Sequence, residues 1–386
     1  LNNERLYILL NNNKPKIFVN LKGGYVNNFL IISSSLFCLA ASCYLLLKIT
    51  DPLEEIGVRI GRLLRLPESV IASTLQAFAT SGGEITMAIL AATPFISIRM
   101  FDALQTGEKA CSGTLNMAFS AMDNLLGIGA LAIIIMIVAE KVKKEALVPY
   151  RPSTIISLGF YIAASGMLAI FILDGTLSYI ESWSLMGMGI FFILFQVLFP
   201  YTKWYQLFKD DEEEEEIEFV PHPKTELAEW TGSMVKNSFE YLFLLFGLVI
   251  FVMLCMMATF NLGKLGIVSI GGILLAVTSY VSSLPEFMLA FRFIIKDKKD
   301  ELLAMLFGSN VIDLGFSGFR SIYLKEDMQV YTTGSFPELL VGYIWALPIV
   351  AILLMLGFLT HTFRWKHAKF LFIFYLFYII SGFILL

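Results

Sequence analysis

The sequence predicts an all-α polytopic membrane protein: ten transmembrane helices arranged as two inverted five-helix repeats. Three observations lead there. The 386 residues are 57% hydrophobic and only 16% charged, against about 25% charged in an ordinary soluble domain. The apolar residues fall in ten blocks, most of roughly 20 residues, the length of a helix that crosses a bilayer. A short polar pattern set inside the second and third blocks returns inside the seventh and eighth.

Residues 1–27 form a polar, basic N-terminal extension with Arg5, Lys14, Lys16 and Lys22. They lack the short apolar core and small-residue cleavage site of a signal peptide. They are compatible with the remainder of a cleaved presequence. Ten spans are expected near 28–50, 69–98, 115–140, 153–173, 184–201, 239–260, 267–295, 302–322, 336–359 and 367–386. Residues 51–66 read as a short amphipathic helix on the membrane surface, with Arg59, Arg62 and Arg65 among Leu and Ile. The first repeat is thus 28–201 and the second 239–386.

Between them, 202–238 is an acidic linker with Asp210, Asp211 and Glu212 to Glu216. A run of like charge predicts a solvated, disordered connection. With ten spans, the loops after helices 1, 3, 5, 7 and 9 share one side. That side carries 19 of the 28 basic residues. The positive-inside rule places the linker in the cytoplasm or its equivalent and both termini opposite. Five helices per repeat is an odd number, so the second repeat enters from the other side. Inverted repeats of this kind recur in secondary transporters, with the binding site at the midplane.

Other classes find no footing. The four cysteines, Cys38, Cys43, Cys111 and Cys255, have no metal-site spacing, and no disulfide framework is expected. No basic nucleic-acid surface and no phosphate-binding glycine loop is present. Neither a nucleophile–base pair nor a His cluster appears, so the chain is not expected to be an enzyme, and no cofactor is expected.

The recurring pattern supplies the candidate site. Thr80-Ser81-Gly82-Gly83-Glu84 corresponds to Ser282-Ser283-Leu284-Pro285-Glu286, and Ser120 and Asn124 correspond to Ser309 and Asp313. Thr80 and Glu84, Ser282 and Glu286, Ser120 and Asn124, and Ser309 and Asp313 are each four residues apart, so each pair shares a helix face. Four helices therefore offer hydroxyls, an amide and three carboxylates. An all-oxygen set suits hard cations such as Ca²⁺ and Na⁺ rather than zinc or copper. Polar residues of this kind inside a membrane mark an ion path. Pro285 cannot donate a helical bond and should break its helix, freeing carbonyls near 279–282 for an ion. Gly82 and Gly83 permit a break in the first copy without forcing one. Asp123 adjoins Asn124 but should point about 100° away on an ideal helix. It is expected to pair with a neighbouring helix or to alter selectivity, with structural pairing favoured.

On these motifs the chain resembles the cation/Ca²⁺ antiporter superfamily, and within it the Na⁺/Ca²⁺ exchanger branch. Val281-Ser282-Ser283-Leu284-Pro285-Glu286 and Gly308-Ser309-Asn310-Val311-Ile312-Asp313 fit the family's two signatures. Ala79-Thr80-Ser81-Gly82-Gly83-Glu84 and Phe119-Ser120-Ala121-Met122-Asp123-Asn124 fit with Gly83 in place of Pro and Phe119 in place of Gly.

The resemblance implies that Glu84 and Glu286 bind Ca²⁺ centrally and that Asn124 and Asp313 complete that layer. Thr80, Ser81, Ser120, Ser282, Ser283 and Ser309 would serve Na⁺ or Ca²⁺, with carbonyls near Ala77 and Ser279. It implies exchange of Na⁺ for Ca²⁺ by alternating access, with the first and sixth helices sliding. The host would be the plasma membrane or the mitochondrial inner membrane. The alternatives are an H⁺/Ca²⁺ antiporter or a degenerate homologue that serves as a structural subunit of a larger membrane complex. Gly83, Phe119 and Asp123 favour the structural-subunit alternative, and the complete oxygen set opposes it.

Overall fold

The computed structural model describes residues 24–92, 117–118, 120–128, 145–147, 152–202, 227–263, 279–296, 298–330, 337–359 and 362–385. The N-terminal extension up to residue 23, Phe119, and the acidic run of the linker lie outside the described residues.

Two helices exceed the thickness of a bilayer. α1 runs Gly24–Leu63, 40 residues, or ~60 Å at 1.5 Å per residue. Residues 51–66 are therefore not a separate surface helix: α1 continues through Pro52. Leu53, Ile56 and Ile60 explain the continuation, because they are buried against Tyr241 and Leu248 and tertiary packing outweighs the missing backbone bond. The helix stops at Arg65, which takes a left-handed φ of 54°. The Leu66 N–H then closes on the Gly61 carbonyl at 2.9 Å.

After α2 (Glu68–Ile71), α3 (Ala77–Thr80) and α4 (Gly82–Ala92), α5 (Pro152–Phe171) and α6 (Tyr179–Leu198) complete the described first part. α6 starts on a capping box, Ser178 with Glu181. α7 spans Leu227–Gly263, so the last stretch assigned to a disordered linker is helical. Its apolar partners on α1 order it. α8 (Ser279–Ser282), α9 (Leu284–Ile295), α10 (Lys299–Phe316), α11 (Phe319–Leu324), α12 (Pro337–Leu359) and α13 (Trp365–Leu385) follow.

Among the described residues four helical stretches are long and apolar enough to cross a membrane: 152–174, 179–201, 233–251 and 300–324. The last is 89% buried and the third only 17%, which separates a central helix from a peripheral one. Phe37, Phe239, Phe243 and Phe377 are exposed apolar side chains. On α13, Leu371, Tyr375 and Tyr378 turn inward while Phe370, Ile373 and Phe377 turn out. Such a surface requires lipid rather than water, and the chain is an integral membrane protein.

The helices sort into two packing groups. α5, α6, α10 and α12 share the large core around Tyr161, Phe192, Val311 and Leu347. α1 and α7 share a smaller one that meets the rest at Ala79 and Leu284. Small residues let the central helices approach closely, as is usual in membranes. A Cβ on Gly315 would lie 3.0 Å from the Gly189 Cα. One on Gly318 would lie 2.7 Å from the Ser182 Cα.

Two short sheets tie loops together. β1 (Glu145–Leu147) pairs with β4 (Thr362–Arg364), and β2 (Thr176–Leu177) with β3 (Met328–Gln329). Charges gather near the start of α2. Arg292 pairs with Asp51 and Glu54, Lys296 with Glu54, and Lys298 with Glu68 and Glu301. Partial burial of Glu68 favours its neutral form, but Lys298 and Arg62 outweigh this and hold its carboxyl below the ordinary value.

Candidate functional site

The site is built where two helices break. α3 ends at Thr80, Ser81 takes φ −68° and ψ 0°, and α4 begins at Gly82. α8 ends at Ser282, Ser283 takes φ −80° and ψ 3°, and α9 begins at Leu284. Each long polar run is thus two helices rather than one. The breaks have the same backbone bonds. Ser81 N–H reaches the Ala77 carbonyl and Ser283 N–H the Ser279 carbonyl, both at 2.9 Å. Ile85 N–H reaches Ser81 at 3.0 Å and Phe287 N–H reaches Ser283 at 3.1 Å. Gly83 therefore supports the same geometry as Pro285. Glu84 and Glu286 each fall in the first turn of the following helix, where a negative charge is favoured by the helix dipole.

The side chains pair in the same mirrored way. Ser120 Oγ donates to Glu84 Oε1 at 2.7 Å, and Ser309 Oγ donates to Glu286 Oε1 at 3.0 Å. The Ser120 and Ser283 hydroxyls are 2.7 Å apart, as are those of Ser81 and Ser309. Ser283 Oγ also donates to Glu84 Oε1 at 3.2 Å. Ser282 lies within reach of Glu84, and Thr80 within reach of Glu286. Both hydroxyls bond to their own helices as well: Thr80 to the Ala77 carbonyl at 3.1 Å and Ser282 to the Ser279 carbonyl at 3.0 Å. The carbonyls of Ala77 and Ser279, expected to face an ion, are thus already engaged within their helices. The reason is that the kink keeps the helical bonds across the break.

Asp313 lies on α10 close enough to Glu84 and Glu286 to be repelled by both. Ser81 and Ser120 face it, but neither of its oxygens has a well-formed hydrogen bond. Asn124 sits on a π-helical turn, Asp123–Ile128, fully buried with both amide atoms unpartnered. Glu84 Oε2 and Glu286 Oε2 are unpartnered too. All ten residues expected at the site are buried, and hydrogen bonds tie the two motif copies together in two matching clusters, Ser120–Glu84–Ser283 and Ser309–Glu286–Ser81. Buried polar atoms without partners cost about 1–3 kcal/mol each, so a cluster of vacant oxygens is set up for a ligand that accepts their lone pairs. Among the described residues no three Asp, Glu, His or Cys side chains converge at metal-ligand spacing. The oxygens gathered here are carboxylate, amide and hydroxyl, a donor type that suits hard cations.

Asp123 pairs with a neighbouring helix as expected: it is 1% exposed and accepts the Ser279 hydroxyl of α8 at 2.8 Å. Two features escaped sequence reasoning. Asn310 is fully buried with both amide atoms unpartnered. Its place beside Ser309 was a signal, but one that a structural Asn would also give. Tyr161 on α5 is buried near Asp313 with its hydroxyl unpartnered. A tyrosine in an apolar run has no distinguishing mark.

The fold and this buried oxygen cluster define a polytopic membrane protein with an oxygen-lined site in its interior. The family model described as sodium/calcium exchanger protein matches residues 34–198. The sodium-calcium exchanger NCX_Mj, soaked with 10 mM Na⁺ and zero Ca²⁺, is similar with a TM-score of 0.63 at 18% identity, covering 91% of this chain and 99% of that one. The H⁺/Ca²⁺ exchanger CAX is similar with a TM-score of 0.65 at 14% identity, covering 94% and 91%. At these identities the likeness is one of fold. Comparison with curated proteins gives no match. The family-model match and the two likenesses of fold are in keeping with the resemblance to the cation/Ca²⁺ antiporter superfamily. The family signature lies in the first part of the chain, and the exchanger fold extends over nine-tenths of it.

Proposed function

We propose that the chain is a secondary active transporter that exchanges Na⁺ for Ca²⁺ by alternating access. The observation that carries this reading is the mirrored pair of clusters, Ser120–Glu84–Ser283 and Ser309–Glu286–Ser81, buried together with vacant carboxylate oxygens. Glu84, Glu286 and Asp313 would hold Ca²⁺ with Asn124. Thr80, Ser81, Ser120, Ser282, Ser283 and Ser309 would complete the shells of Ca²⁺ or of several Na⁺. Like charges in a low-dielectric interior repel, so the empty cage resists full ionisation, and a cation-loaded cage is the species that crosses. The small α1–α7 core, apart from the main one, supports these two helices as the sliding pair.

The topology proposed is ten helices in two inverted repeats, 28–201 and 239–386. Its support is the pairing of the loops. β1 and β4 join the loops before helices 4 and 10, and β2 and β3 join those after helices 4 and 8. Lys298, after helix 7, meets Glu68, after helix 1. Every one of these contacts links loops that alternate passes would put on the same side. The likeness to CAX favours proton coupling as the second reading.

The test is ⁴⁵Ca²⁺ uptake into proteoliposomes with an outward Na⁺ gradient. Uptake that requires internal Na⁺, and is lost in Glu84→Gln and Glu286→Gln, is the expected result. Uptake driven instead by a proton gradient selects the second reading. Unchanged flux in both variants would remove the site assignment, and no flux from folded protein would select a structural subunit.

A further inference from the structure

We propose that Asp123, held by the Ser279 hydroxyl, is a specificity-determining cation ligand on the flank of the site, raising the positive charge that the site takes up. This rests on the exchange reading above. The side chain is 1% exposed and lies on the first residue of the π turn that also carries Asn124. Its Oδ2 accepts Ser279 Oγ at 2.8 Å. Ser279 opens α8, the helix that ends at the Ser283 break. Asp123 thus bridges the turn of one motif to the broken helix of the other at Ser279, one helical turn from Ser283, whose hydroxyl reaches Glu84 at 3.2 Å.

A buried carboxylate keeps its charge only where a cation or hydrogen bonds meet it, and otherwise takes up a proton. Among the described residues, the ion pairs that form lie elsewhere, at the helix ends, and no Lys or Arg pairs with Asp123. Asn124, the next residue on the same turn, has both amide atoms without partners, and Glu84 Oε2 has none either. Hydroxyl, amide and carboxylate oxygens are the donors that a hard cation such as Na⁺ takes. With Asp123 the buried site holds four carboxylates, Glu84, Asp123, Glu286 and Asp313. Neutralising four charges takes more monovalent ions than neutralising three, whereas one Ca²⁺ balances the same two charges in either case. Asp123 should therefore govern the Na⁺ side of the exchange more than the Ca²⁺ side.

Asp123→Asn is the informative variant because it keeps the volume and an oxygen for the Ser279 hydroxyl while removing the charge. Two measurements on the full chain test it: thermal unfolding in detergent across Na⁺, Li⁺ and Ca²⁺ concentrations, and Na⁺-driven ⁴⁵Ca²⁺ uptake in proteoliposomes. The expected result is a variant that folds as well as the parent without added cation. It should need roughly 100-fold more Na⁺ for half effect, the order expected from losing one charge at about 5–6 Å and an effective dielectric near 20. Its Na⁺ dependence should be shallower, and its Ca²⁺ dependence should move less. Ser279→Ala should move the Na⁺ curve the same way by a smaller factor.

Unchanged Na⁺ curves in Asp123→Asn, with stability lost only in Asp123→Ala, would overturn the proposal and leave a structural hydrogen bond. If the parent is stabilised by cations yet carries no Ca²⁺, the exchange reading fails while the unfolding curves still decide the role of Asp123. A parent that responds to no cation in either assay would overturn both.

Discussion

The two motif copies differ in sequence at the places that ought to matter, yet their broken helices coincide. One copy has Gly82-Gly83 before its glutamate and the other Leu284-Pro285. Both nevertheless kink at the serine, with ψ near zero and the same pair of backbone bonds across the kink. The proline is therefore one way to hold a break that packing around the site already imposes. The second members of the motifs behave in the opposite manner. Asp313 sits in the regular helix α10, whereas Asn124 sits on a π turn. There the copies diverge in backbone, and the divergence is what brings Asp123 into contact with Ser279. The copies agree where their serines and glutamates meet, and they differ at the second motif, where only the first copy reaches across through an extra carboxylate, Asp123.

The largest test of that comparison is a charge exchange across the site. Asp313→Asn should weaken apparent Ca²⁺ affinity by roughly 100-fold or more, since a divalent ion and one charge at about 5–6 Å interact by about 6 kcal/mol at an effective dielectric of about 20, part of which is offset by the desolvation of the carboxylate. Adding Asn124→Asp should restore only part of it, as read by Ca²⁺-dependent thermal stabilisation. Full restoration would show that the π turn and the α-helix present their side chains equivalently.

Next in size is Gly308→Ala. A Cβ there would lie 2.9 Å from the Ser73 Cα and 2.8 Å from its carbonyl carbon. Backbone cannot yield as a flexible side chain can, so a loss of about 1–3 kcal/mol is expected from denaturation in detergent. No loss would mean that α10 can draw away from the neighbouring π turn, Ala72–Gln76.

Ser120→Ala and Ser309→Ala should then behave as a matched pair. Each removes a hydroxyl that donates to one glutamate and contacts the opposite serine. A hydrogen bond to a charged group is worth about 1.5–3 kcal/mol, so each should cost about tenfold or more in Ca²⁺ half-saturation. A large inequality between them would break the mirror relation.

The smallest effects should come from Pro285→Gly and Gly83→Pro, since position two of a helix tolerates proline. Changes of about 1 kcal/mol or less in opposite directions are expected, with ⁴⁵Ca²⁺ flux preserved. Loss of flux in Pro285→Gly would restore the proline to a causal role.

Much of the site is legible in the sequence, because a membrane interior makes polar side chains conspicuous and duplication marks them twice. Glu84, Glu286, Asp313, Asn124 and six hydroxyls stand out on that basis. Asn310 and Tyr161 do not, since each has an equally good bland reading and the repeat gives no second witness; Asp123 was legible as a pairing residue, but its partner Ser279 was not. The surface-helix reading of 51–66 fails for a related reason. Proline and charge are local signals, and Leu53, Ile56 and Ile60 find their partners on α7, far away in the chain.

The class of protein, the broad placement of the helices and the chemistry of the oxygen set were determined by the sequence alone, because hydropathy and residue type are properties of each segment. Which side chains meet was decided only by the tertiary structure. Ser120 reaching Glu84, Ser81 reaching Ser309, Asp123 reaching Ser279, and the engaged carbonyls of Ala77 and Ser279 depend on kinks, a π turn and close helix approach. Those are set by contacts between segments distant in the chain, and no single segment carries the energy that fixes them.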